Sequence, residues 1–182
     1  MQVTDLLNST VTAARRMTLG LAAASLVAAA LGLNPAPSPA AAEQTLPAAP
    51  ASGVVRVRSA YPFEETVARL KNDIAAKSIR FFAEIDQAML AADAAIRLGP
   101  STLLLFGNPP LGVQFLTSNP YAGLDWPVRM LVIEDQDRKV WVAYSDFTYI
   151  AQRYAITDRD AAFAKAAEVA ASIAASASGA KP

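Results

Sequence analysis

The larger apolar residues of this chain cluster between Val54 and Ile156, and that clustering sets what can fold. A stretch of about 100 residues with a continuous supply of aliphatic and aromatic side chains buries one core without staples. The chemistry open to that core is narrow. Cysteine is absent, which removes disulfides, thiolate nucleophiles and thiolate metal sites. Histidine is absent as well, removing the commonest transition-metal ligand and the usual base near neutral pH. A Ser-His-Asp triad is therefore impossible, whatever surrounds Ser145-Asp146. No cofactor or metal is expected, and no catalytic residue is assigned. The 16 basic and 16 acidic side chains cancel. A balanced chain has no long-range field to concentrate nucleic acid, so none is expected as a partner.

The first fifty residues read as an address. Arg15-Arg16 precede an apolar run of 15 residues, Leu19 to Leu33, which suits a signal-peptide core. It falls short of the roughly 20 residues that cross a bilayer. Ala40-Ala41-Ala42 before Glu43 offers small residues for cleavage, giving a signal peptide over 1–42 and a periplasmic or secreted product without a membrane anchor. The arginine pair leaves the twin-arginine route open beside the ordinary secretory one, and an uncleaved anchor is the remaining alternative. Residues 43–52 are a Pro/Ala linker with too little apolar surface to offset its ordering entropy.

Within 53–157 the periodicities alternate. Val54, Val55 and Val57 form a β-branched first strand. Pro62 suits a first helical position, and Phe63, Val67, Leu70 and Ile74 make one apolar helical face. Ile79–Asp86 predicts a second strand and 87–98 an alanine-rich helix stopped by Gly99-Pro100. Thr102–Phe106 is a continuous apolar run, expected as a central, doubly buried strand that breaks sharply at Gly107-Asn108-Pro109-Pro110. Val128–Ile133 and Val140–Tyr144 flank a charged turn and predict a hairpin. Residues 158–182 predict a weakly anchored helix and tail. The fold class is α+β: a small mixed or antiparallel sheet of about five strands, helices on one face, and a C-terminal alanine-rich helix.

Ile85-Asp86, the stretch Ser101-Thr102-Leu103-Leu104-Leu105-Phe106-Gly107-Asn108-Pro109, Leu124-Asp125-Trp126-Pro127-Val128-Arg129 and Tyr144-Ser145-Asp146 together resemble the domain-of-unknown-function family 302. The resemblance implies a small α+β domain, commonly a homodimer, with no established activity. It also implies histidines at two positions where this chain has Gln87 and Tyr154, neither of which binds a transition metal as imidazole does.

The candidate ligand-binding residues are Asp86, Gln87, Phe106, Gly107, Asn108 and Tyr144, with Phe82 as a further apolar wall. Asn108 and Pro109 at a strand end suit either a turn with a helix cap or a helix start offering backbone N–H groups to an anion. Asp86 suits either a helix cap or, beside Gln87, the same rim. Glu134, Asp135 and Asp137 read as a solvated turn rather than a calcium loop, for want of the loop's glycine and distal glutamate. Three functions remain open: an exported accessory or small-ligand-binding domain, an enzyme using Asp86 or a tyrosine, and a homodimeric interaction module.

Overall fold

A computed structural model describes residues 53–179. The leader, the whole linker and residues 180–182 lie outside the described residues. The elements are β1 (Val54–Arg58), α1 (Phe63–Ala76), β2 (Arg80–Asp86), α2 (Gln87–Asp93), β3 (Ser101–Gly107), α3 (Pro109–Ser118), a 3₁₀ turn (Pro120–Leu124), β4 (Val128–Glu134), β5 (Val140–Ser145), α4 (Phe147–Arg153) and α5 (Asp160–Ala175).

The five strands form one sheet in the order β1-β5-β4-β3-β2, and each neighbouring pair is antiparallel. The α+β class and the hairpin β4–β5 hold. The centre of the sheet is β4, not β3. The run of β3 is doubly apolar, yet only one side is sealed: Leu104 and Phe106 are buried while Leu103 and Leu105 are half-buried. Antiparallel sheets tolerate one wetter face, which is why a continuous apolar run did not mark the middle strand.

Side chains at every second position build the core. The row Val55, Tyr144, Met130 and Leu104 crosses four strands, as does the row Val57, Val142, Val132 and Thr102. Val67, Leu70 and Ile74 of α1 are buried in the same core, each large side chain contributing about 1.5–3 kcal/mol.

Helix α5 belongs to this core. Phe163, Ala166, Ala170, Ile173 and Ala174 are buried at helical spacing, and Phe163 stacks on Phe115 of α3 with centroids 4.1 Å apart. Its end is tied down, since Ala177 O accepts from Ala60 N at 3.0 Å and from Ser59 Oγ at 3.0 Å. The expectation of weak anchoring fails because small side chains let the helix approach closely; alanine carries the packing.

Helix α2 ends four to five residues earlier than the sequence suggests. Ala95 adopts φ 58, while Ile96 N donates to Ala91 O and Ala95 N to Ala92 O. That is a Schellman closure with alanine in the left-handed position. The same closure ends α1 at Ser78 and α4 at Ala155. None of the three carries the glycine or asparagine that would announce it.

Candidate functional site

Beyond the break after β3 lies a hollow of about 290 Å³. Its floor is Phe106 and Val128, opposed across β3 and β4. Leu111, Gly112 and Phe115 of α3 form one wall; Ala166, Val169 and Ala170 of α5 form another, and Phe147 and Trp126 close it. Lys77, Lys165 and Glu168 stand at the rim, each partly exposed. Small side chains of α5, Ala166 and Ala170, leave room on its side, whereas the room at Gly112 of α3 is taken by the Trp126 indole.

Gly107 and Asn108 line this hollow, and Asn108 is exposed. Asn108 occupies the position that caps α3, but its side chain makes no cap hydrogen bond. The anion reading of this helix start fails. Pro109 and Pro110 have no N–H, and the N–H groups of Leu111 and Gly112 donate to Asn108 O at 3.1 and 2.9 Å. The Pro-Pro pair was legible in the sequence and argued against that reading from the start.

Trp126, which the sequence offers only as part of the Leu124–Arg129 stretch, is a residue of this site. Its ring lies against Gly107 and Gly112, and it meets Phe82 edge-on at 5.9 Å. The indole N–H makes no hydrogen bond among the described residues, and no buried side-chain polar atom there lacks a partner. The N–H is therefore reachable by solvent or by a bound molecule. The sequence signal was glycine at 107 and 112, positions that stay bare because an indole rests on them.

Asp86 and Gln87 do not share this rim. In the antiparallel pairing Asp86 opposes Thr102, five residues before Gly107, or roughly 17 Å along the strand. Asp86 is exposed and caps α2, accepting from Met89 N at 2.9 Å. Ser101 Oγ donates to Gln87 Oε1 at 2.8 Å. Tyr144 is buried beneath the sheet's covered face and is not among the residues lining the hollow; burial pushes its phenol up. Phe82 is exposed and touches the site only through Trp126. Of the expected residues, Phe106, Gly107 and Asn108 meet at one place.

The family model for the domain of unknown function DUF302 matches residues 55–177, from the first strand to just past α5. The chain belongs to this family. A solved structure of an uncharacterized conserved DUF302 protein from Bacillus stearothermophilus superposes with a TM-score of 0.64 at 14% identity, covering 70% of this chain and 99% of that one. At that identity it shows the fold alone. The chain is also 33% identical over 105 residues to fluoride-specific ion channel FluC 1 of Brucella suis and of Brucella abortus. The match covers 58% of this chain and 41% or 39% of those proteins, so the chain spans about two-fifths of their length.

In this DUF302 domain the stretch Leu124 to Arg129 has a structural job. The Asp125 carboxylate is nearly inaccessible and accepts from Arg129, from Arg153 at 3.3 Å and from the Tyr154 hydroxyl at 2.6 Å. The hydrogen bond to Asp125 raises the pKa of Tyr154 above the usual phenol value. This knot joins the loop bearing Trp126 to the end of α4 and so positions one wall of the hollow. Tyr154 therefore serves the scaffold, outside the lining.

Proposed function

We propose that this protein is an exported domain that binds a small molecule in the hollow between β3–β4 and α3–α5, without converting it. One observation carries the reading: an apolar recess opens where the core strand breaks, and two polar groups on its wall, the Asn108 amide and the Trp126 indole N–H, have no partner among the described residues. Ligand sites are mostly apolar with a few placed polar groups, and about 290 Å³ falls at the small end of their size range. Binding without turnover is supported by the lining itself. Its ionisable side chains, Lys77, Lys165 and Glu168, stand at the exposed rim, each in an ion pair, and none reaches the apolar interior. Asp86, the one carboxylate considered as a base, is exposed and occupied with capping α2, so the enzyme reading has lost its support.

Native mass spectrometry of the full-length protein purified from cell fractions tests this directly. The expected result is a periplasmic species beginning near Glu43 that retains a small-molecule mass, lost in Asn108→Ala. A cytoplasmic or membrane-bound product overturns the export reading, and a mass equal to the bare polypeptide, with no stabilisation in a metabolite screen, overturns the binding one.

The channel activity in the names of the Brucella relatives belongs to those proteins. Among the described residues here, no helix is long and apolar enough to cross a membrane. A role as an accessory domain is the part of that likeness this chain can share.

A second reading, self-association, has its own observation. The sheet face opposite the helices presents Ile85, Leu103, Leu131 and Ala143 in one row across four strands, all half-buried. At the edges, Phe82, Met89, Leu90, Ile96 and Leu98 are exposed. Apolar patches of this extent mark interaction surfaces. Light scattering at micromolar concentration should give twice the chain mass, reduced to the monomer by Leu131→Lys; a wild-type monomer refutes it.

A further inference from the structure

We infer that the free edge of β1 docks an extended acidic segment of a partner protein, one with carboxylates at alternate positions. No residue of β1 lines the hollow, so this surface is independent of the binding reading above.

Strand β1 ends the sheet on one side and pairs only with β5. The register fixes where its backbone points. Ser59 N donates to Val140 O and Gly53 O accepts from Asp146 N, so the odd-numbered positions are the ones bonded to β5. In an antiparallel ladder these alternate with positions whose N–H and C=O groups turn the other way. Val54, Arg56 and Arg58 therefore present their backbone groups at the open edge, where none of them makes a backbone hydrogen bond among the described residues.

The side chains of the same three residues share the sheet face away from the helices. Arg56, Arg58, Arg80 and Arg97 are the basic side chains that meet no carboxylate among the described residues. Two of these four stand two positions apart on this edge. Across the sheet the row of Arg56 continues through Ala143, Leu131 and Leu103, and that of Arg58 through Trp141, Ile133 and Ser101, with no acid in either. Arg56 lies over the Trp141 ring at 4.3 Å from its centroid, a contact that orders the guanidinium and leaves its N–H fork for a guest. Asp135, which reaches that ring from the β4–β5 turn, is occupied by Trp141 Nε1 at 2.7 Å and Lys139 N at 2.9 Å.

Charge chooses the occupant. A second copy paired edge to edge about the middle of β1 would set Arg56 against Arg56, and like charges opposite one another destabilise. A strand added here places its residues opposite Arg56 and Arg58 on their own face, so an acid-x-acid spacing meets both guanidinium groups. The residue between turns to the face of Val57, which packs on the core, so an apolar one suits it. Backbone pairing then supplies affinity and the alternate side chains supply selectivity.

NMR titration of the full-length protein with two blocked peptides of equal composition tests this: Thr-Glu-Val-Glu-Val-Thr, with alternating acids, and Thr-Val-Glu-Glu-Val-Thr, with adjacent ones. The alternating peptide should shift the amide signals of Val54, Arg56 and Arg58 and slow their hydrogen exchange. It should bind about two- to fivefold tighter than its isomer, the worth of one exposed charge pair. Arg56→Glu combined with Arg58→Glu should weaken that binding about tenfold and instead bind Thr-Lys-Val-Lys-Val-Thr, a rescue that a misfolded variant would not give. Equal binding of the two isomers, or three amides that neither shift nor gain protection, overturns the inference and leaves the arginines as guards against edge pairing. Tighter capture by phosphatidylglycerol vesicles than by the alternating peptide, lost in the same variant, would give the edge to an anionic lipid surface and overturn it as well.

Discussion

Trp126 can be tested as a wall by filling the space beneath it. A β-carbon built on Gly112 lands on Nε1, Cε2 and Cδ1 of the indole, well inside van der Waals contact. On Gly107 it would stand 3.2 Å from Nε1, and on Gly123 it would meet only Leu116 Cδ2 at 3.8 Å. The ring cannot simply retreat, because it leans on Phe82 at 5.9 Å and its loop is fixed through Asp125. Overpacking costs about 1–3 kcal/mol, and a lost aromatic edge contact adds about 0.5–1.5 kcal/mol. Alanine in place of a helical glycine returns about 1 kcal/mol. Gly112→Ala should therefore destabilise by about 1–3 kcal/mol, or roughly 3–10 °C in Tm for a domain of this size. Gly107→Ala should fall below it, and Gly123→Ala within about 0.5 kcal/mol of wild type. Urea unfolding followed by circular dichroism gives the order. Indole emission in a Trp141→Phe background reports whether Trp126 moves. A Gly112→Ala protein as stable as wild type, with unchanged emission, would refute the account of this wall.

Phe163→Ala should cost about 3–5 kcal/mol by denaturant titration, because the ring is buried and stacked on Phe115; a loss under 1 kcal/mol would return α5 to a loosely attached tail. Ala95→Gly and Ala155→Gly should each stabilise by about 0.5–1 kcal/mol by relieving left-handed alanine at a helix end, and a decrease in Tm for both would count against the closure described. Asp125→Asn should weaken the loop by about 1–3 kcal/mol, in a double-mutant cycle that couples it to Tyr154→Phe; additivity would mean the knot is incidental. Asp135 accepts from Trp141 Nε1 at 2.7 Å, and that hydrogen bond lowers its pKa below the ordinary 3.8. Its contribution is present above pH 3.8 and lost as pH falls through the lower folded value, so Asp135→Asn should flatten the stability profile below about pH 4. An unchanged acid limb would show the hydrogen bond carries no weight.

The sequence was most legible where a signal is local. The Phe63–Ile74 stripe, the β4–β5 hairpin and the break at Gly107-Asn108 are written in neighbouring residues, and each stands where expected. The hollow was half legible. Phe106, Gly107 and Asn108 were placed by the strand break, whereas Trp126 and the α5 wall come from 18 or more positions further along. Their distance in the chain leaves no periodic trace.

The residues alone determined the inventory of this protein: no thiol or imidazole, balanced charge, one core, and helices and strands set by periodicities of 3.6 and 2. Tertiary pairing decided the rest. The antiparallel register of β2 and β3 sent Asp86 to the opposite end of the sheet from Asn108, and α5 brought its small side chains over Phe106 to leave a space. Periodicity reports which face of an element is buried; only packing reports which buried faces meet, and a cavity belongs to the meeting.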